Sequence, residues 1–380
     1  MKKFNFTLAL ALLIVTAACN NNKCVKECGC ACAKQETAAD STGDSTKTVA
    51  LKSDSAMNKA ARFYAGISSE GVNMNATDAK AWNTYSQNMT YLVQHARKTL
   101  NLVDSIMKTD MADLRKSTDY MFYPFAGADF MYPITMFPDA DTYFMFGLEK
   151  PGSALGAINP TYSKYESYRK ALTYYFQASY FITKNMATEL DNSDVDGTVP
   201  LISMMMAIND CEIQSVKNVE FNDSGAIVAA QKQSDMAEIK FFKKGSQHLQ
   251  TLYFYSGNAA DGHLDAKLEK YINTTMKQHK VTSYLKAASY LLHYSQFSKI
   301  RNLVLDVSQA VIQDDSGIAI KYLNGWDFTL YGTYKTPLAV FGMQVYQPDL
   351  MAMYQKGNVH KLPFRIGYNQ PSNWLCARKK

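Results

Sequence analysis

The apolar positions of this chain repeat with two different periods. Trp82, Tyr85, Met89, Leu92, Ala96, Leu100, Val103 and Met107 recur at spacings of three and four, which predicts one long helix with a single buried stripe. Tyr120–Phe125 and Thr142–Glu149 are short apolar runs with no helical period, the pattern of strands buried on both faces. Phe130–Phe137 between them reads as a short helix restricted by Pro133. Tyr162–Leu190 reads as a long tyrosine-rich helix, and Thr198 with Pro200 near the first turn starts another through Ile208. Val216–Phe221, Ala237–Lys243 and Leu249–Tyr255 have strand composition, separated by Asn222-Asp-Ser-Gly225 and Lys244-Gly245-Ser246. Further helices are predicted at Leu264–Lys277 and Ser283–Tyr294, and a third on Ile300, Leu303, Val304, Val307 and Val311. Short strands and loops are expected from Ile318 onward. Interspersed helices and strands predict an α/β or α+β class: a layered mixed sheet with long flanking helices, Rossmann-like in part. No internal repeat or second linker is visible, so residues 54–380 are expected to form a single globular domain.

The N-terminus follows other rules. Lys2 and Lys3 precede the apolar run Phe4–Val15 and the small residues Thr16-Ala17-Ala18. This is the layout of a secretory signal peptide, and the run is too short to span a bilayer. Cys19 directly afterwards is similar to the lipobox cysteine of bacterial lipoproteins, which implies cleavage before Cys19 and its acylation. Residues 19–53 are polar and poor in branched apolar side chains, so they are expected to be a disordered tether. The chain has seven cysteines. Cys24, Cys28, Cys30 and Cys32 fall in the tether, where they suit disulfides in an oxidising compartment better than a paired zinc site. Cys211 and Cys376 are too far apart in sequence to describe a disulfide scaffold. The net charge of +6 is scattered, so no nucleic-acid partner is expected.

Four constellations carry candidate chemistry. A strand, a glycine turn and Asp129 are followed by a second strand ending at Glu149. The order resembles a dinucleotide or methyl-donor fold, but one glycine stands where a phosphate-binding fingerprint needs three. Gln313-Asp314-Asp315-Ser316-Gly317 places two carboxylates on a turn, ahead of Trp326, Phe328, Tyr331 and Tyr334; Trp326 and Tyr334 are taken with them as ligand-binding candidates. Asn192, Asp194, Asp196 and Gly197 match the first, third, fifth and sixth positions of a calcium loop. Ser203 stands where the loop needs a bidentate Glu, a departure that lowers the calcium affinity the loop would have, and no other cofactor is expected. Finally, 25 Tyr residues, six of them crowding residues 162–180, supply aromatic faces suited to sugars or apolar ligands. There is no His-Glu-x-x-His element, no Gly-x-Ser-x-Gly elbow and no P-loop.

Phe122-Tyr-Pro-Phe-Ala-Gly-Ala-Asp-Phe130, Gly147-Leu-Glu149, Gln313–Ile318 and Leu362-Pro-Phe-Arg-Ile-Gly-Tyr368 together resemble a family of bacterial envelope lipoproteins of Bacteroidota type, for which no activity is assigned. The resemblance implies a cell-envelope protein held to the outer membrane by lipid. Asn20-Asn-Asn-Lys23 stands where a surface-export signal would be acidic, which favours the periplasmic face. The expected function is a binding or structural role with an aromatic-lined cleft for a glycan, peptide or envelope protein. The alternative is an extracytoplasmic hydrolase or lyase using Asp129, Glu149, Asp314 and Asp315.

Overall fold

Five successive buried residues, Tyr120 to Pro124, form a strand with a packed layer on each side. The computed structural model describes residues 51–178, 195–338, 345–365 and 372–380. Its strands are β1 (Tyr120–Pro124), β2 (Thr142–Gly147), β3 (Cys211–Phe221), β4 (Ile227–Ala229), β5 (Met236–Lys243), β6 (Gln250–Ser256), β7 (Val281–Leu285), β8 (Ser308–Gln313), β9 (Trp326–Gly332), β10 (Val359–His360) and β11 (Asn373–Lys379). They form one sheet in the order β10-β9-β11-β8-β7-β1-β2-β6-β5-β3-β4. The centre, β8-β7-β1-β2-β6, is parallel. The flanks beyond β6 and β8 contain antiparallel pairs.

Side chains alternate between two helical layers. On β1, Met121 and Tyr123 join one core, while Tyr120 and Phe122 join the other. The first layer holds α1 (Ser55–Tyr64), α2 (Ala76–Thr109), α3 (Ala112–Ser117), α4 (Met131–Met136), α5 (Tyr162–Ala178) and α6 (Thr198–Ile208). The second holds α7 (Ala266–Thr274), α8 (Ser298–Val307) and α9 (Pro348–Lys356). The α/β class with long flanking helices is therefore what the chain adopts. The stripe read on α2 is the buried one, joined by Ile106. Asn75 caps this helix by accepting from the Asp78 amide at 2.9 Å.

Three readings of local structure need correction. Ser283–Tyr294 is not a helix: residues up to Leu285 form β7, and Ala287–His293 is a 3₁₀ segment. Thr282 and Ser283 look like surface positions in sequence. Inside the sheet they are satisfied by hydroxyl partners, Thr118 and Ser308, each at 2.7 Å. Val311 does not continue the helix of Ile300–Val307, because β8 starts directly at Ser308. The C-terminal region also contains α9. The reading of a helix to Leu190 can be followed only to Ala178; the rest lies outside the described residues.

Residues Ala50–Lys380 make up one compact unit. Within it, the loop after β2 meets the chain before α6 very closely. Gly152 (φ 70°) and Gly197 (φ 80°) both adopt left-handed backbone. A methyl group on Gly152 would overlap the Asp196 carbonyl, and one on Gly197 would overlap Pro151 and Gly152. Gly152→Ala should therefore cost at least about 2 kcal/mol in urea unfolding, from backbone strain plus overlap. Gly156, which has open space around it, should tolerate Ala with little change.

Candidate functional site

The parallel strands place their C-terminal ends along one rim. β2 and β6 follow β1 on one side, while β7 and β8 lie on the other. The topological switch point thus falls between β1 and β7, where open α/β sheets bind their ligands. Asp129 lies in the loop after β1, and Lys286 is the first residue after β7. They meet at 3.3 Å (Asp129 Oδ2 to Lys286 Nζ), 2% and 1% exposed respectively.

The pair sits in a cage of tyrosines. Tyr123 donates to Asp129 Oδ2 at 2.9 Å and Tyr175 to Oδ1 at 2.5 Å. The Lys286 ammonium stands 3.6 Å from the centre of the Tyr132 ring, a cation–π contact strengthened by the burial of the lysine. Burial holds the Tyr123 and Tyr175 hydroxyls well above their ordinary range, so both remain donors. Burial also pulls the Lys286 pKa down; the charges of Asp129 and Asp314 oppose it.

Asp314 and Asp315 follow β8 on the same rim. Asp314 accepts from the Ser316 amide at 2.8 Å and from its hydroxyl at 2.5 Å. Asp315 is held by the Leu338 amide at 3.0 Å and by Asn373 Nδ2 at 2.7 Å. Burial, and then the Asp314 charge, push the Asp315 pKa up to about 7. Glu149, just past β2, is buried and folds back toward the β1 turn. A methyl group on Gly147 would stand 2.7 Å from Glu149 Oε2 and 3.4 Å from the Gly127 amide. Phe125 in that turn has φ 63°, a strained conformation for a bulky residue.

The four carboxylates predicted from sequence therefore share one rim. Tyr334 joins them through Gln347, whose amide donates to the Tyr334 hydroxyl at 2.9 Å and whose side chain donates to the Asp315 carbonyl at 2.9 Å. Trp326 does not join. It starts β9 and pairs with Lys379 across the sheet, which places it at the opposite rim. Asn192 and Asp194 lie outside the described residues, and Asp196 is exposed. Ser203 is buried in α6, donating to the Val199 carbonyl at 2.8 Å, so it cannot complete a calcium loop. Among the described residues no group of His, Cys, Asp or Glu is placed to hold a metal ion. Of the six crowded tyrosines, Tyr165, Tyr168 and Tyr175 are core and Tyr162 is exposed; Tyr180 and the Tyr174 side chain lie outside the described residues.

Sequence reasoning missed Lys286 altogether. The strand before it, Val281-Thr-Ser-Tyr-Leu285, carries two polar residues and no continuous apolar run, so nothing in the sequence marks Lys286 as a residue that follows a strand. It also missed a pocket of about 180 Å³ beside the Asp315 loop, lined by His293, Lys321, Tyr346, Gln347 and Asp349 among others. Tyr346 is 47% exposed there and stacks on Tyr334, with ring centres 6.1 Å apart and planes 17° off parallel. The His293 ring is hydrogen-bonded to backbone at Gly317 and Asp315, and its Nε2 has no partner among the described residues.

No protein-family profile, curated protein or solved structure matches the chain.

Two consequences can be measured. Lys286→Met leaves the Asp129 carboxylate buried without its cation and should cost about 3–5 kcal/mol in chemical unfolding. Adding Asp129→Asn should recover part of that loss, giving a favourable coupling energy in the double-mutant cycle. For Asp315 the folded pKa of about 7 exceeds the ordinary 3.8, so between these values the folded chain keeps a proton that the unfolded chain has lost. Its contribution to stability is full below pH 3.8 and is lost as the pH rises through about 7. Asp315→Asn should therefore flatten the fall of unfolding free energy between these pH values.

Proposed function

We propose that the chain is a lipid-anchored protein of the bacterial cell envelope, whose domain binds a small ring-bearing polar ligand such as a sugar unit of an envelope glycan. The anchor reading rests on Lys2-Lys3, the short apolar run, Thr16-Ala17-Ala18 and Cys19. No helix among the described residues is long and apolar enough to cross a membrane. The outer membrane with its periplasmic face is the location that the residues after Cys19 favour.

The observation that carries the binding reading is the exposed Tyr346 face, backed by Tyr334, at the mouth of the pocket beside the Asp315 loop. A ring offered by a ligand can stack there. Lys321 and Asp349 supply two opposite charges around it, placed polar groups of the kind that fix orientation in a binding site.

A second reading, a carboxylate-dependent hydrolase or lyase acting on an envelope polymer, draws on one observation. Asp315 is held at about 7, near the value that suits an acid or base at neutral pH. Against it, both Asp315 oxygens are occupied by Leu338 and Asn373.

One set of variants tests both. Cys19→Ser should move the chain from the membrane to the aqueous fraction and abolish palmitate incorporation. In a screen of envelope oligosaccharides, Tyr346→Ala should weaken binding at least tenfold with little change in Tm. Binding unaffected by Tyr346→Ala would remove the pocket from consideration. Product release that is lost with Asp314→Asn or Asp315→Asn would replace binding by catalysis.

A further inference from the structure

The opposite rim of the sheet carries the reverse charge. A cavity of about 440 Å³ opens there among Arg97, Lys108 and Arg115 of the α2–α3 region, Thr135 and Pro138 near the end of α4, and Asn209, Asp210, Lys243 and Lys244 where β3 begins and β5 ends. Five of its lining residues are cationic, and Asp104 and Asp210 are the acids among those that line it. The cavity is therefore strongly positive on a domain whose charge is otherwise scattered.

The cations differ in how they are held. Arg97 donates from Nη2 to the Ile208 carbonyl at 2.6 Å. Arg115 is fixed by Asp104 at 2.9 Å, and Lys108 reaches the same carboxylate at 2.6 Å. Two guanidinium groups are thus positioned in advance, each with further N–H donors in a planar fork suited to phosphate oxygens. Lys243 and Lys244 are exposed, with no ion-pair partner among the described residues, and they add mobile point charges on the facing wall. Asp210, between Asn209 and β3, has φ 54°. Its carbonyl accepts from the Lys244 amide at 2.8 Å, so the strained residue joins the two walls. Phe125 and Asp210 are the non-glycine residues with positive φ among the described residues, one at each rim.

The geometry points to a second site at this rim, one that takes a phosphate ester or pyrophosphate group carried on a small organic body. The charge calls for a dianion. The volume exceeds what a lone phosphate would fill, and Leu100, Ile134 and Pro138 offer apolar contact to the remainder. Such a group can come from a soluble phosphorylated metabolite or from the headgroup of an anionic lipid.

The test uses the full chain in detergent and titrates pyrophosphate and glycerol phosphate against chloride at matched ionic strength, by calorimetry. Lys243→Gln/Lys244→Gln, surface changes that leave the fold intact by circular dichroism, should weaken binding at least tenfold; Lys232→Gln, elsewhere on the surface, should not. A parallel arm follows capture by vesicles of phosphatidic acid, whose headgroup is a phosphomonoester, against phosphatidylcholine vesicles. Capture that soluble glycerol phosphate displaces, and that the double variant loses, assigns the site to a lipid headgroup; binding of the soluble phosphates without such capture assigns it to a metabolite. No heat above the chloride control together with no displaceable capture would overturn the site, as would binding that the double variant leaves unchanged.

Discussion

The arrangement turns on a charge that has nowhere to go. Lys286 is almost wholly shielded from water, and an ammonium in such a place must be answered by an anion and by oriented dipoles. Asp129 answers it, and the same carboxylate accepts from Tyr123 on β1 and Tyr175 on α5. A single carboxyl group therefore ties the two strands that flank the switch point to a helix of the covering layer. Satisfied in this way, a buried polar cluster fixes one packing of the surrounding core and excludes near alternatives.

The sheet then acts as a spacer between two chemistries. Its parallel centre has all its strands pointing one way, so residues that follow strands gather on one rim and residues that precede them on the other. Carboxylates and tyrosines occupy the first rim, arginines and lysines the second. Neither group depends on the other's loops.

How much of this was legible beforehand depended on which residues carried the signal. The stripe from Trp82 to Met107 needed only periodicity, and the runs at Tyr120 and Thr142 needed only continuous apolarity. Asp129, Glu149, Asp314 and Asp315 could be singled out because each stands at the end of an apolar run or in the turn that follows one. β7 could not be read, because Thr282 and Ser283 spend their polarity on hydroxyls brought from distant parts of the chain. Val311 happened to fall on the helical spacing of Ile300–Val307, although the backbone changes state at Ser308. With β7 hidden, Lys286 had no reason to be chosen. The pocket of His293 and Tyr346 joins side chains from separate elements, which no local pattern can announce. Trp326 was misplaced because nearness in sequence to Asp314 does not reveal which end of β9 it occupies.

The sheet's outer margins have a bearing on life at high local concentration. A long open strand is a template for unwanted pairing with another copy, and a chain confined to a membrane surface would meet its copies often. Here the outermost strands are very short, Val359–His360 on one side and Ile227–Ala229 on the other. Most of β3 extends beyond β4. On that stretch Asn58 imitates a neighbouring strand: its side-chain amide donates to the Ile213 carbonyl and accepts from the Ile213 N–H, both at 2.8 Å. The β-bulge immediately beyond Ile213 breaks the straight edge that a docking strand would need. One asparagine on the first helix thus occupies the Ile213 backbone groups that an added strand would have to pair with.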